Sequence, residues 1–222
     1  MYMSNENTKN ENTKNGNTKN DIKNGNKLPT YYDDPVDLFY KKYIDILNPI
    51  FKKAGITPNM ITSISFFFGL LACYLYYKSY YVLAGLSYII SYFFDTMDGY
   101  FARIYGMGSV FGSYYDSISD NIVALIILYL FYKKNVFAKP SIKLVIFLIL
   151  LFLGLGCIYQ MSCQEKYTKK IQEKHVSDGL AFLNNVKCKD FEHMKYTRYF
   201  GTGVCTLVVS ILIIAHVFFV KK

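Results

Sequence analysis

Three long uncharged apolar runs constrain this chain more than any other feature of its sequence. They cover residues 58–77, 144–164 and 199–220 and contain no Asp, Glu, Lys or Arg. A helix that crosses the hydrocarbon core of a bilayer needs about 20 predominantly apolar residues. Two further segments, at about 80–104 and 108–132, reach that length with a few charges. The sequence therefore predicts an all-α, polytopic membrane helix bundle with about five transmembrane helices.

The part of the chain before the first span divides into two regions. Residues 1–34 contain the Asn- and Lys-rich repeat NENTKNENTKNGNTKN. Because such sequence cannot bury a core, we expect a disordered tail. Residues 35–53 carry apolar side chains at helical spacing, which predicts an amphipathic helix in the membrane interface, with a solvated linker helix as the alternative. Residues 54–222 then form the membrane domain.

The net charge of +9 is concentrated beside the apolar runs. Lysines that flank transmembrane segments contact lipid headgroups and determine topology, so we expect the lipid bilayer and no nucleic acid as a partner. The basic stretch 165–198 is placed on the cytoplasmic side by the positive-inside rule. Counting spans back from it places the turn at 106–108 on that side too. The basic 133–143 connection falls on the opposite side and departs from the rule.

The five cysteines show no CxxC spacing, and all but Cys188 lie within apolar runs. Free cysteines in such positions behave as small hydrophobic residues. The pattern predicts neither a disulfide framework nor a zinc site.

Charged residues in the second and third spans form the most informative pattern. Asp95 and Asp98 are three residues apart, and Asp116 and Asp120 are four apart, so each pair shares one helical face. The turn at 106–108 folds the third span back against the second. This arrangement allows both carboxylate pairs to point into one gap between the two helices. Carboxylates that converge in this way repel one another unless cations lie between them. Oxygen-only ligands favour Mg²⁺ or Mn²⁺, and two pairs favour two ions.

Small residues and an arginine accompany the acids. Gly99, Ala102 and Gly112 leave room for a ligand to approach the backbone, although helix–helix contact is the alternative explanation. Arg103 lies one turn beyond Gly99 and can pair with a phosphate, or its side chain can extend to the interface.

The whole string DTMDGYFARIYGMGSVFGSYYDSISD fits the pattern DxxDGxxAR-x8-GxxxD-xxxD without a gap. It resembles the signature of the CDP-alcohol phosphatidyltransferase family. The stretch PNMIT also resembles the start of the first span in that family, which implies that Asn59 and Thr62 contact the CDP-linked substrate. Ser109 occupies a position where the family often has a hydroxyl near the nucleotide phosphate. The family usually has six spans, one more than we count.

The resemblance implies roles for the motif residues. Asp95, Asp98 and Asp116 would hold the metal ions, and Asp120 would complete the second ion's shell and act as the base. Arg103 would contact phosphates. Gly99, Ala102 and Gly112 would line the nucleotide site, with the two glycines admitting cytidine and ribose.

The resemblance also implies phospholipid biosynthesis. The implied enzyme transfers a phosphatidyl group from CDP-diacylglycerol to a small polar alcohol and releases CMP. Inositol is the first choice, since MKYTRYFGTG before the last span resembles phosphatidylinositol synthases; serine, glycerol phosphate and inositol phosphate follow. We expect the active site to face the cytoplasm. A second copy of the chain, forming a homodimer, is a possible partner.

Three alternatives stay open at this point. A CDP-choline or CDP-ethanolamine phosphotransferase acting on diacylglycerol uses similar chemistry, but those enzymes are typically longer. An ion- or proton-pathway protein also places carboxylates in the membrane. Aspartate-rich membrane prenyltransferases use Mg²⁺ but lack the continuation from the aspartates to Arg103.

Overall fold

A computed structural model describes residues 25–134, 140–172, 188 and 191–220. All regular secondary structure in these residues is helical, and they contain no strand. The prediction of an all-α fold is confirmed.

Seven α-helices occur within the described residues, and two short 3-10 turns flank the sixth. The helices are α1 Pro35–Lys53, α2 Pro58–Tyr77, α3 Tyr81–Ile104, α4 Val110–Lys133, α5 Pro140–Gln172, α6 Met194–Thr197 and α7 Thr202–Val220. The last turns of α5 extend into the polar stretch that the sequence assigns to a loop. The central helix is α3, which packs against α1, α2 and α7, while α2 also packs against α4.

Capping side chains fix where the helices near the site begin. The Thr57 side chain accepts a hydrogen bond from the Met60 amide at the start of α2, where Pro58 takes the first helical position. The Ser109 hydroxyl accepts one from the Gly112 amide at the start of α4. Between α3 and α4, Gly106 takes a φ of 62°, a left-handed conformation that glycine adopts at little cost.

Four segments of the described chain are long and apolar enough to cross a membrane: Pro58–Tyr77, Val110–Lys133, Leu144–Thr168 and Phe191–Phe218. Helix α3 has the length of a span but is not among them, because its second half carries Asp95, Asp98 and Arg103. Its position between α2 and α7 keeps Asp98 buried within the bundle, whereas Arg103 at its end is exposed.

The prediction of an amphipathic helix at 35–53 matches α1. One of its faces is buried at Ile44 and Asn48. The other exposes a row of large apolar side chains: Phe39, Tyr43, Ile46 and Ile50. An exposed apolar row of this kind suits the headgroup boundary of a bilayer, and the interfacial position stays a prediction.

Residues 25–34 form a packed segment, which we call the N-terminal strap. Leu28 and Tyr32 in the strap are 1% and 4% exposed and belong to an apolar cluster with Cys163, Tyr167 and Met194. Within the described residues, the chain is therefore packed from residue 25 onward, ten residues before α1. Residues 1–24 of the predicted tail lie outside the described residues.

Cys163 and Cys188 form a disulfide, so the expectation that the cysteines are all unpaired is wrong. Cys163 lies on α5 and is fully buried beneath the strap. The pairing joins residues 25 positions apart, and only the return of the chain toward α5 brings them together. No short-range spacing signals such a pair.

Candidate active site

Three of the four motif acids converge on one point. Asp95 and Asp98 from α3 and Asp116 from α4 each offer a carboxylate oxygen, and these oxygens all lie within 4.8 Å of one another. They meet because α2 packs against both α3 and α4. The turn after α3 contributes as well, since the Met107 amide donates to the Ala102 carbonyl at 2.9 Å and reverses the chain.

The acid cluster has an unused ligand atom. The Asp116 Oδ1 atom is buried and has no hydrogen-bond partner among the described residues. Asp98 is only 5% exposed, so it too is shielded from water. Buried carboxylate oxygens without a partner are costly, and a hard cation is the natural ligand for an all-oxygen set. The residues present therefore fit a divalent metal site.

Asp120 lies one helical turn beyond Asp116. Its carboxylate faces Asp95, so it borders the cluster without belonging to the three oxygens that converge most closely. Unlike Asp98, Asp120 is exposed. A carboxylate at the open side of a metal cluster can reach both an ion and an incoming substrate.

Thr62 is the partner of a cluster ligand. Its hydroxyl donates to Asp98 Oδ2, and both side chains are buried. Such a hydrogen bond fixes the orientation of a carboxylate ligand. The resemblance implies a substrate contact for Thr62, whereas here its hydroxyl contacts the acid beside it.

Asn59, Ser109 and Gly112 form a second group at the start of α2 and α4. A side-chain carbon added at Gly112 would lie 2.7 Å from Asn59 Oδ1 and 3.0 Å from Ser109 Oγ. Gly112 is therefore the position that lets the Asn59 amide approach α4. The sequence assigns Asn59, Ser109 and Gly112 to substrate binding, and the structure brings these three residues together.

Arg103 and Gly99 form a third group at the end of α3. A carbon added at Gly99 would lie 3.2 Å from Arg103 Nη1, so the guanidinium covers this glycine. The Arg103 Nε donates to the Gly25 carbonyl of the N-terminal strap at 2.8 Å. Arg103 is an exposed residue, and its guanidinium has further N–H groups that can bind a phosphate.

Two features near the site did not follow from the sequence. The Tyr115 hydroxyl lies 3.0 Å from Ser63 Oγ, which links α4 to α2. The strap brings Lys27 into the electrostatic range of Asp116 and Arg103. The stretch KLPTYYDDP is richer in apolar residues and proline than the repeat before it, and this change in composition was the available signal for the strap.

Comparisons with known proteins agree with this geometry. A family model described as CDP-alcohol phosphatidyltransferase matches residues 55–220, well over half of the chain. The archaetidylinositol phosphate synthase of Pyrococcus horikoshii is 37% identical over 82 residues, which make up 37% of this chain and 44% of that relative. The match thus spans less than half of the relative's length.

The matched region contains the acid cluster and the apolar helices. Together, the apolar helices and the family match identify an integral, multi-pass membrane protein. The motif, the geometry of its acids and the extent of the match lead to one assignment: the chain belongs to the CDP-alcohol phosphatidyltransferase family.

Proposed function

We propose that this chain transfers a lipid phosphate group from a CDP-activated lipid to a small polar alcohol and releases CMP. The observation that carries the proposal is the convergence of Asp95, Asp98 and Asp116 within 4.8 Å, with a buried oxygen of Asp116 left without a partner. The family match supports the reaction class. The expected donor is CDP-diacylglycerol or a closely related CDP-lipid.

The acid cluster would hold two divalent ions, Mg²⁺ or Mn²⁺. Asp95, Asp98 and Asp116 would supply the ligands, and Asp120 would complete the shell of the second ion. Bound there, the ions would neutralise the diphosphate and stabilise CMP as a leaving group. Thr62 holds the Asp98 carboxylate in position. We assign the remaining residues of the site to substrate binding and to proton transfer.

The nucleotide end of the donor would be held next to α4. Asn59 offers an amide and lies against Gly112, where no side chain blocks the backbone. Ser109 lies at the same end, Ala102 would line the gap as well, and Gly99 provides the surface on which Arg103 lies. Arg103 would direct its free N–H groups to the diphosphate oxygens.

Asp120 would act as the base. In the transfer, the acceptor hydroxyl oxygen forms a bond to the lipid-linked phosphorus while the bond from that phosphorus to the CMP oxygen breaks. The hydroxyl proton passes to the Asp120 carboxylate, which is exposed at the open side of the cluster. A carboxylate beside cations is a weak base, but it can accept a proton as the attack proceeds if it lies within hydrogen-bond reach.

An inositol-type alcohol is the favoured acceptor. The matched relative is named for the synthesis of archaetidylinositol phosphate, which supports inositol or inositol phosphate over the other alcohols. The sequence before α7, MKYTRYFGTG, supports the same class. The site would face the cytoplasm, because the positive-inside rule assigns the basic stretch 165–198 to that side.

A CMP-release assay on the purified chain tests the proposal. The protein in mixed micelles receives CDP-diacylglycerol, Mn²⁺ or Mg²⁺, and one alcohol at a time: inositol, inositol phosphate, serine or glycerol phosphate. We expect CMP only in the presence of metal, with inositol or inositol phosphate giving the fastest release. Absence of CMP with every alcohol and metal would refute the proposed reaction.

A further inference from the structure

We propose that Ser63 and Tyr115 are positioning residues of the metal site, because their hydrogen bond sets the distance between the acid of α4 and the two acids of α3. The inference rests on the proposed function, in which these acids hold divalent ions. Neither residue is a fixed position of the aspartate motif, and neither belongs to the stretch PNMIT. The family resemblance therefore assigns no role to either of them.

The two acid-bearing helices, α3 and α4, make little direct contact with each other. Both pack along α2 instead. The sequence predicts that the turn at 106–108 folds one helix against the other, whereas the structure connects them mainly through α2. The spacing of the acids therefore depends on how firmly each of the two helices is attached to α2.

The attachment of α3 to α2 involves three hydroxyl groups. The Thr62 hydroxyl donates to Asp98 Oδ2 at the acid cluster. About one turn further along α2, Ser65 Oγ donates to the Ser91 carbonyl at 2.8 Å, and Ser91 Oγ donates to the Ser65 carbonyl at 2.9 Å. All four residues are buried, so water does not compete for these hydrogen bonds. The acids of α3 are therefore held in place relative to α2.

Beside the acids, α4 is attached to α2 by a hydrogen bond between two side chains. Ser63 follows Thr62, and Tyr115 precedes Asp116, so the bond joins neighbours of the cluster. The two hydroxyl oxygens are 3.0 Å apart. Ser63 Oγ donates its single proton to the Asn59 carbonyl at 2.9 Å. Because that proton is used, the Tyr115 hydroxyl is the donor to Ser63.

This hydrogen bond opposes the repulsion among the carboxylates. Gly112 allows α4 to approach α2, since an added carbon there would lie 2.7 Å from Asn59 Oδ1, but a missing side chain attracts nothing. The Tyr115 ring is stacked on Phe111, and its hydroxyl supplies an attraction across the gap. Like charges that converge favour a wider separation until cations bind between them. The bond therefore preorganises the acids for metal binding.

The test measures Mn²⁺ binding to the purified protein in mixed micelles by electron paramagnetic resonance, without substrate. Tyr115→Phe removes the donor hydroxyl and keeps the ring, and Ser63→Ala removes the acceptor. Ser63→Thr is the conservative variant, because it retains a hydroxyl. Tyr114→Phe is the matched control, since Tyr114 is an exposed tyrosine at the preceding position of α4.

We expect Tyr115→Phe and Ser63→Ala each to weaken Mn²⁺ binding by about fivefold, which is the size of one lost hydrogen bond. The double variant should bind no more weakly than the single variants, because both substitutions remove the same bond. Ser63→Thr and Tyr114→Phe should bind Mn²⁺ like the wild type.

CMP release provides a second readout. In Tyr115→Phe, the Mn²⁺ concentration that gives the half-maximal rate should rise by the same factor, while the KM for the alcohol stays within about twofold of wild type. Saturating Mn²⁺ should restore most of kcat, because bound ions draw the acids together. A general loss of structure would instead lower the rate at every Mn²⁺ concentration.

Three results would overturn the inference. The first is a Tyr115→Phe variant that binds Mn²⁺ as tightly as Tyr114→Phe. The second is a double variant whose loss equals the product of the two single losses, since the residues would then act independently. The third is a wild type that binds no Mn²⁺. If the wild type binds Mn²⁺ but releases no CMP with any alcohol, the proposed reaction fails, and the binding measurements decide the role of the Ser63–Tyr115 bond.

Discussion

Small residues in the motif make room for other protein side chains as well as for substrate. Gly112 admits the Asn59 amide, and Gly99 lies beneath the Arg103 guanidinium. Thr62 adds a hydroxyl that holds the Asp98 carboxylate of the acid cluster. At the scale of single residues, the motif therefore encodes a set of side-chain orientations in addition to a set of ligands.

Gly112→Ala tests whether the approach of Asn59 to α4 matters for substrate binding. The added methyl group would lie 2.7 Å from Asn59 Oδ1, so the amide must move away. We expect the KM for the CDP-lipid to rise by about tenfold, equivalent to about 1.4 kcal/mol, with a smaller change in kcat. Gly108→Ala is the matched control, because nothing lies within 4 Å of a side-chain carbon there. Equal kinetics of the two variants would argue against a role for Asn59.

Asp120→Asn tests the assignment of the base. The amide keeps the shape of the carboxylate but cannot accept the proton of the acceptor hydroxyl. We expect kcat to fall by at least about 100-fold while CDP-lipid binding changes little. The comparison is between CMP release and equilibrium binding of the CDP-lipid in the presence of Mn²⁺. Near-normal turnover would show that another group accepts the proton.

Among the helices, Asp34 connects two elements that are far apart in sequence. Its Oδ1 accepts from the Val36 amide at 2.8 Å at the start of α1, and its Oδ2 accepts from the Val204 amide at 3.2 Å at the start of α7. One carboxylate thereby caps two helices. A side-chain carbon at Gly201 would lie 2.1 Å from Asp34 Oδ2, which explains why the residue before α7 is glycine.

Asp34→Ala should destabilise the protein because two helix N-termini lose their cap. A lost cap costs about 1 kcal/mol, so the expected total is about 2 kcal/mol of unfolding free energy. Asp34→Asn keeps an oxygen and should lose less. Thermal unfolding in detergent and hydrogen exchange at the starts of α1 and α7 would measure the effect. Similar unfolding of all three proteins would contradict the shared cap.

Asp37 makes the contact between α1 and α3 sensitive to pH. The Tyr92 hydroxyl donates to its Oδ1 at 2.7 Å. Burial, followed by the nearby Asp34 and Asp33 carboxylates, raises the pKa of Asp37 to about 7. The unfolded value is about 3.9, so between these values the folded protein binds the extra proton. This group's contribution to stability is therefore lost as the pH rises from about 4 to about 7.

The experiment compares thermal unfolding of the wild type and Asp37→Asn from pH 5 to pH 8. Asn cannot titrate, so the melting temperature of the variant should rise relative to that of the wild type as the pH increases. The variant provides its own control, since all other acids titrate in both proteins. A difference that does not depend on pH would contradict the raised pKa of Asp37.

At the scale of the whole molecule, the N-terminal strap and the disulfide stabilise the same corner of the bundle, the region around Cys163. The Cys163–Cys188 bond joins Cys188 to α5, and Leu28 of the strap packs against Cys163. This corner supports the strap, whose Gly25 carbonyl binds Arg103. Its stability therefore affects the site without direct contact with the acid cluster.

Removing the disulfide should lower the stability of this corner. In the chain-entropy account, a closed loop of this length contributes about 3.5 kcal/mol, so reduction or Cys188→Ser should lower the melting temperature by several degrees. Cys73→Ser is the control, because Cys73 is a buried free thiol in a different cluster. Alkylation and mass measurement before and after reduction establish the pairing itself. With the bond intact, the unfolded, unreduced protein should have three alkylated thiols, and alkylation of all five cysteines would exclude the bond.

Much of the fold and of the site could be predicted because those features are local in sequence. Apolar runs about 20 residues long identify membrane helices directly. The spacing of Asp95 and Asp98 on one helix and of Asp116 and Asp120 on the next predicts two acidic faces, and three of these acids do converge. The turn at Gly106 also follows from its residues.

The remaining features depend on contacts between distant parts of the chain. Asp34 caps α7 from 170 residues away, and Arg103 binds a carbonyl 78 residues before it. Neither contact leaves a periodic pattern in the sequence, because the backbone carbonyl and amide groups involved do not depend on residue type. The same holds for the Cys163–Cys188 pair, whose partners share no short-range spacing.

The sequence by itself determined the helical membrane architecture and the acidic motif, since hydrophobic length and helical periodicity are properties of consecutive residues. Only the tertiary structure decided which acids converge, that the Arg103 guanidinium lies against Gly99, and that Arg103 binds the Gly25 carbonyl of the strap. The physical reason is that these contacts come from the packing of whole helices. Packing brings together groups that no local pattern pairs.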